Sequence, residues 1–93
     1  MSDKYKIFET DQFIKDLKKI DNPNQRKIYG KIIKSIYPQI KMNPYIGRNI
    51  KKLKDYKPET WRYRIGDFRL FYEINDKDKI INIITIEHRS KAY

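Results

Sequence analysis

The 93-residue chain carries a formal net charge of +10, from 22 Lys and Arg against 12 Asp and Glu, and contains one histidine and no cysteine. That length suits one domain over residues 1–93 with a single modest core, and the missing cysteines exclude disulfides, thiolate catalysis and cysteine-ligated metals. An aromatic content of 14% argues against disorder, while the charge excess points to a polyanionic partner, nucleic acid first.

Tyr5–Thr10 (YKIFET) alternates Tyr5, Ile7 and Glu9 against Lys6, Phe8 and Thr10, the pattern of a short strand. Thr10 or Asp11 then caps a helix whose apolar residues Phe13, Ile14, Leu17 and Ile20 recur at helical spacing, ending near Asp21. Asn22 caps a second helix with Pro23 in its first turn, and Ile28, Ile32, Ile33, Ile36 and Ile40 form its stripe. Pro38 predicts a kink or an end near Tyr37.

Asn43–Thr60 (NPYIGRNIKKLKDYKPET), with two prolines, a glycine and dense cations, reads as a loop anchored by Ile50 and Leu53. Three strands follow, Trp61–Ile65, Phe68–Asn75 and Lys79–Glu87, separated by the turn signals GD and NDKDK. The element order βααβββ implies an α+β fold: an antiparallel sheet of about four strands, with the N-terminal helical hairpin packed on one face.

Strand parity sorts the segment WRYRIGDFRLFYEI into two rows. Trp61, Tyr63 and Ile65 share a face with Phe68, Leu70, Tyr72 and Ile74, whereas Arg62, Arg64 and Arg69 share the other with Phe71 and Glu73. If the apolar rows lie under the helices, the arginines line an open cationic face. They could simply be solvated and paired with Glu73 and Glu87. Local acids are too few to neutralise the region, however, and guanidinium forks suit phosphate, so a phosphate-binding face is the better reading. Lys51, Lys52 and Lys54 extend the field as candidate RNA contacts, and Tyr56, Phe71 or Tyr93 could stack on bases.

The closing IEHRSKAY brings His88, Arg89 and Tyr93 out of the same sheet. An imidazole, guanidinium groups and a phenol are the parts of a metal-free ribonuclease, which must take a proton from a ribose 2′-OH, stabilise a phosphorane and protonate the leaving oxygen. No metal or cofactor is expected. No apolar run approaches the ~20 residues of a membrane span, and MSDKYKIFET lacks the apolar core of a signal peptide, so the cytoplasm is the expected compartment.

These segments in this order resemble the RelE/ParE superfamily of bacterial and archaeal toxin–antitoxin modules. NPYIGRNIKKLKDY follows its Asn-Pro…Lys-Leu-Lys-Gly pattern, with Asp55 where glycine is common, and YRIGDFRLFYEI with HRSKAY carries its most specific signature. The resemblance implies a toxin that acts as a metal-independent endoribonuclease. It would cut mRNA in the ribosomal decoding site through a 2′,3′-cyclic phosphate and be neutralised by a cognate antitoxin. Carried onto this chain, the catalytic positions are Arg62, Arg64, Arg69, Arg89 or His88, and Tyr93. Relatives often have lysines where Arg62 and Arg64 stand, and arginine is a poor proton acceptor, so the base falls to Tyr93, His88 or Lys54. The same fold hosts ParE-like inhibitors of DNA gyrase without a nuclease site. A basic nucleic-acid-binding module without chemistry is a third possibility.

Overall fold

The structure, a computed structural model, describes residues 4–91. Strand β1 (Lys6–Glu9) leads into α1 (Asp11–Lys18), then α2 (Asn22–Lys31), which passes through a π-helical stretch (Ile32–Ile36) into α3 (Tyr37–Met42). Strands β2 (Ile50–Lys52), β3 (Thr60–Ile65), β4 (Phe68–Asn75) and β5 (Ile80–His88) follow, with a last 3₁₀ turn at Arg89–Lys91. The sheet order is β1-β5-β4-β3-β2. The α+β class and the helix-backed sheet are as expected, with three differences.

The sheet has five strands. Ile50–Lys52, read from sequence as loop, pairs antiparallel with β3 in the register Ile50↔Tyr63, Lys51↔Arg62, Lys52↔Trp61. Ile50 packs partly against the core and holds this short edge in place. Second, β1 runs parallel to β5, Lys6 opposite Ile80 and Glu9 opposite Ile83, so the first and last strands meet across the helical excursion. Third, Pro38 does not end the helix. The Tyr37 N–H bonds to the Ile32 carbonyl, five residues back, and this wider turn carries the chain past the proline, which has no N–H to donate. Ile40 thereby stays helical and fully buried.

Thr10 caps α1 as its sequence position suggests. Its hydroxyl accepts the Phe13 N–H at 3.2 Å and donates to the Ile83 carbonyl at 2.7 Å, fixing the start of α1 to β5. Phe13 and Leu17 of α1 join Ile32, Ile36 and Ile40 on the inner face of the sheet, where Tyr63, Leu70, Tyr72, Ile81, Ile83 and Ile86 complete the core. Asp55, standing where the resembled family commonly has glycine, has a φ of 63°. That left-handed conformation explains why glycine suits the position.

One irregularity decides the site. Register between β4 and β5 shifts at Phe71/Tyr72: Phe71 faces Thr85 but Tyr72 faces Ile83, leaving Ile84 as an extra residue. This β-bulge inverts the parity of everything after it on β5.

Candidate nucleic-acid interface

The β3–β4 hairpin turns on Gly66 and Asp67, with Gly66 at a φ of 56°, a conformation that glycine reaches without strain. Across the hairpin Arg64 is the direct partner of Arg69, and Arg62 that of Phe71, with Lys51 on the far side of Arg62. Directly opposed residues share a face, so all of these lie on the side of the sheet away from the helices. Arg89 arrives from beyond β5. Its N–H donates to the Asp67 carbonyl at 2.8 Å, and its guanidinium Nε lies 3.6 Å from Asp67 Oδ1.

Arg62, Arg64, Gly66, Arg69 and Arg89 line one cleft of about 170 Å³. Among the described residues no carboxylate lies within ion-pair distance of Arg62, Arg64 or Arg69. Pairing with Glu73 and Glu87, the alternative the sequence left open, does not occur. The cost is visible in Arg62, whose guanidinium is held below its ordinary pKa by burial first and then by the charges of Arg69 and Arg64. Such a cleft is preorganised for an anion: its forks can take phosphate oxygens in pairs, and an anion relieves the mutual repulsion.

The other sequence-predicted residues are distributed unevenly. His88 is the direct partner of Phe68 and stacks edge-on against it at 5.1 Å between ring centroids. It lines a separate cleft with Asp16, Lys19 and Ile20 on the helix side, its Nδ1 is 2.8 Å from Ser90 Oγ, and the sheet separates it from the arginines. Of the two alternatives at this end of the chain, Arg89 rather than His88 reaches the cationic cleft. Lys51 shares the arginine face, Lys52 points to the other and pairs with Glu59 at 3.0 Å, and Lys54 sits in the connector beside Asp55 and Tyr56. Tyr93 lies outside the described residues. Asp67, read from sequence only as a turn residue, meets Arg89 at the edge of the cleft. Its contact with Arg89 depends on the β4–β5 pairing that sets Phe68 opposite His88, which no local pattern announces. Among the described residues no helix is long and apolar enough to cross a membrane.

Comparison with known proteins agrees with this architecture. The chain is 37% identical over 82 residues to the protein named RelE1 of Methanocaldococcus jannaschii, covering 86% of this chain and 84% of the relative. It superposes on the archaeal RelE–RelB complex of Pyrococcus horikoshii with a TM-score of 0.70 at 24% identity, over 96% of this chain and 99% of that one. The RelB–RelE antitoxin–toxin complex of Methanococcus jannaschii gives 0.62 at 28% identity, over 91% and 93%. The sequence profile described as "ParE toxin of type II toxin-antitoxin system, parDE" matches residues 7–93. The helix-backed five-stranded sheet, the relative at 37% identity and the near full-length profile match lead to one assignment: this chain belongs to the RelE/ParE family of toxins of type II toxin–antitoxin systems.

Proposed function

We propose that this toxin is a metal-independent endoribonuclease that cleaves mRNA on the ribosome, and that a cognate antitoxin silences it by covering the arginine cleft. The observation that carries the reading is the convergence of Arg62, Arg64, Arg69 and Arg89 on one cleft, the first three without any carboxylate partner among the described residues. In-line attack of a ribose 2′-oxygen on the adjacent phosphorus forms the new P–O bond as the bond to the 5′-oxygen breaks, giving a 2′,3′-cyclic phosphate and a 5′-hydroxyl that takes its proton from water. The pentacoordinate species between them carries extra negative charge, which fixed guanidinium donors favour by about 10²–10³-fold each. Guanidinium groups stay protonated, so the 2′-OH proton needs another acceptor. Tyr93, four positions beyond Arg89 in the sequence, is our candidate for that base. His88 lies across the sheet from the scissile position in this reading, and Lys54 sits on the connector.

Antitoxin binding follows from the same charge. The RelE proteins of P. horikoshii and M. jannaschii are seen in complex with RelB; for this chain an acidic antitoxin segment over Arg62, Arg64 and Arg69 would neutralise the cleft as RNA phosphate would.

Primer extension on mRNA incubated with the purified toxin, with and without ribosomes, tests the activity. Cuts at codon positions only with ribosomes are expected, and Arg69→Ala should slow them by about 10²–10³-fold. The ParE description of the matching family favours a second reading, inhibition of DNA gyrase. Intact mRNA together with blocked supercoiling in a gyrase assay would select it.

A further inference from the structure

Beside the arginine cleft the open face carries a second depression of about 250 Å³, lined by Leu53, Tyr56, Phe71, Glu73, Ile84 and Glu87 among others. The β-bulge builds its floor by leaving Ile84 without a partner on β4. Its rim is the connector, tied down where the Leu53 N–H meets the Thr60 carbonyl at 2.9 Å. Tyr56 stands 57% exposed there.

The two depressions share a seam. Arg62 is the direct cross-strand partner of Phe71, and Arg69 that of Glu87, so two of the cleft arginines have a groove residue as their immediate neighbour. A nucleotide with its phosphate on the arginines reaches the groove through its own sugar. Glu73 and Glu87 are half-buried, and among the described residues neither makes a side-chain hydrogen bond or ion pair. In a chain with a net charge of +10, two carboxylates left unpaired next to an arginine cluster call for an occupant that donates to them.

Ionised carboxylates only accept hydrogen bonds. The occupant that fits is flat, to lie on Phe71 and Tyr56, and carries N–H donors on its edge. Guanine offers N1–H and the N2 amino group side by side to one carboxylate, and cytosine and adenine offer one amino group each. Uracil has a single N3–H between two carbonyl oxygens, which a carboxylate repels.

We propose that this groove is a nucleobase subsite, selective for amino-bearing bases with guanine first and uracil last, for the same RNA whose phosphate the arginine cleft holds. The proposal rests on the RNA reading of that cleft. Because Phe71 and Tyr56 supply only sequence-tolerant stacking, Glu73 and Glu87 are the specificity-determining residues.

Titration of ¹⁵N-labelled toxin with GMP, CMP, AMP, UMP and ribose 5-phosphate, followed by amide shifts, tests it. GMP should bind about tenfold tighter than UMP, the discrimination of one good bidentate pair, with shifts at Phe71 and Ile84. In Glu73→Gln/Glu87→Gln the GMP preference should fall to about twofold or less while ribose 5-phosphate binds at least as tightly as before. Equal affinity for all four nucleotides, with arginine-dependent binding of ribose 5-phosphate, overturns the base subsite and leaves the phosphate cleft standing. No binding of any phosphate compound overturns both. Shifts at Phe71 and Ile84 that appear only with an antitoxin peptide would make the groove a protein-docking surface and end the proposal.

Discussion

Arg64 and Arg69 stand directly opposite each other across β3 and β4, a cross-strand position where opposite charges would be the stable arrangement. Neither has a carboxylate partner among the described residues. The protein therefore carries a repulsion in its resting state that an anion removes. Arg64→Thr should raise stability by about 0.2–1 kcal/mol, since a like-charge pair disappears and a β-branched residue enters a strand. The same variant should cleave RNA more slowly. Thermal melts and primer extension on one preparation check both signs; a fall in both would show that Arg64 has a structural partner.

Asp67 holds Arg89 through its backbone carbonyl and its carboxylate. In Asp67→Ala the backbone bond survives and the ion pair is lost. The pair is exposed, with both side chains about 63% accessible, so stability should change by less than about 1 kcal/mol. The expected effect is on catalysis, because an untethered Arg89 samples more rotamers: kcat should fall while the melting temperature holds.

Asp55 has a φ of 63°, a left-handed conformation that carries a steric penalty for a residue with a Cβ. Asp55→Gly should stabilise the protein by about 0.5–1 kcal/mol, the relief of strain exceeding the added freedom of the unfolded chain. Urea denaturation at neutral pH measures it, with an unchanged m-value expected.

At the opposite end of the sheet Asp76 accepts the hydroxyls of Tyr45 and, at 2.6 Å, Tyr5, with Lys79 Nζ 3.6 Å away. The Tyr45 bond, then that of Tyr5, holds its carboxyl below the ordinary 3.8. A depressed folded-state pKa stabilises above the unfolded value, and that contribution disappears as pH falls through the folded value. Acid unfolding followed by circular dichroism should therefore show Asp76→Asn losing less stability than the wild type below pH 3.8. Its melting temperature near neutrality should be the lower of the two.

His88 sits against Phe68 on the helix side. His88→Gln should leave RNA cleavage within about twofold of the wild type, and any loss should track stability, since one edge-on aromatic contact is worth about 0.5–1.5 kcal/mol. A loss of several orders of magnitude at unchanged stability would bring His88 into the chemistry.

Alternation along two strands was enough to place Arg62, Arg64 and Arg69 on one face, because side-chain direction with period two is a local property of extended chain. Helical spacing likewise announced Phe13, Leu17, Ile32, Ile36 and Ile40 of the core, although Ile14 and Ile33, read into the same stripes, stand exposed, and the GD turn fixed the hairpin that sets Arg64 against Arg69. Tertiary structure decided the rest. Whether Ile50–Lys52 is loop or strand depended on β3 being there to pair with it, and Pro38 stayed inside a helix only because a π turn widened beneath it. The largest reversal is on β5. With Ile81 and Ile83 turned inward, strict alternation would send His88 to the open face and Arg89 to the core side. The bulge at Ile84 inverts that order, setting Ile86 and His88 inward and bringing Glu87 and Arg89 to the cationic face. An extra residue is defined only against a partner strand, so no periodicity read along β5 alone could have found it.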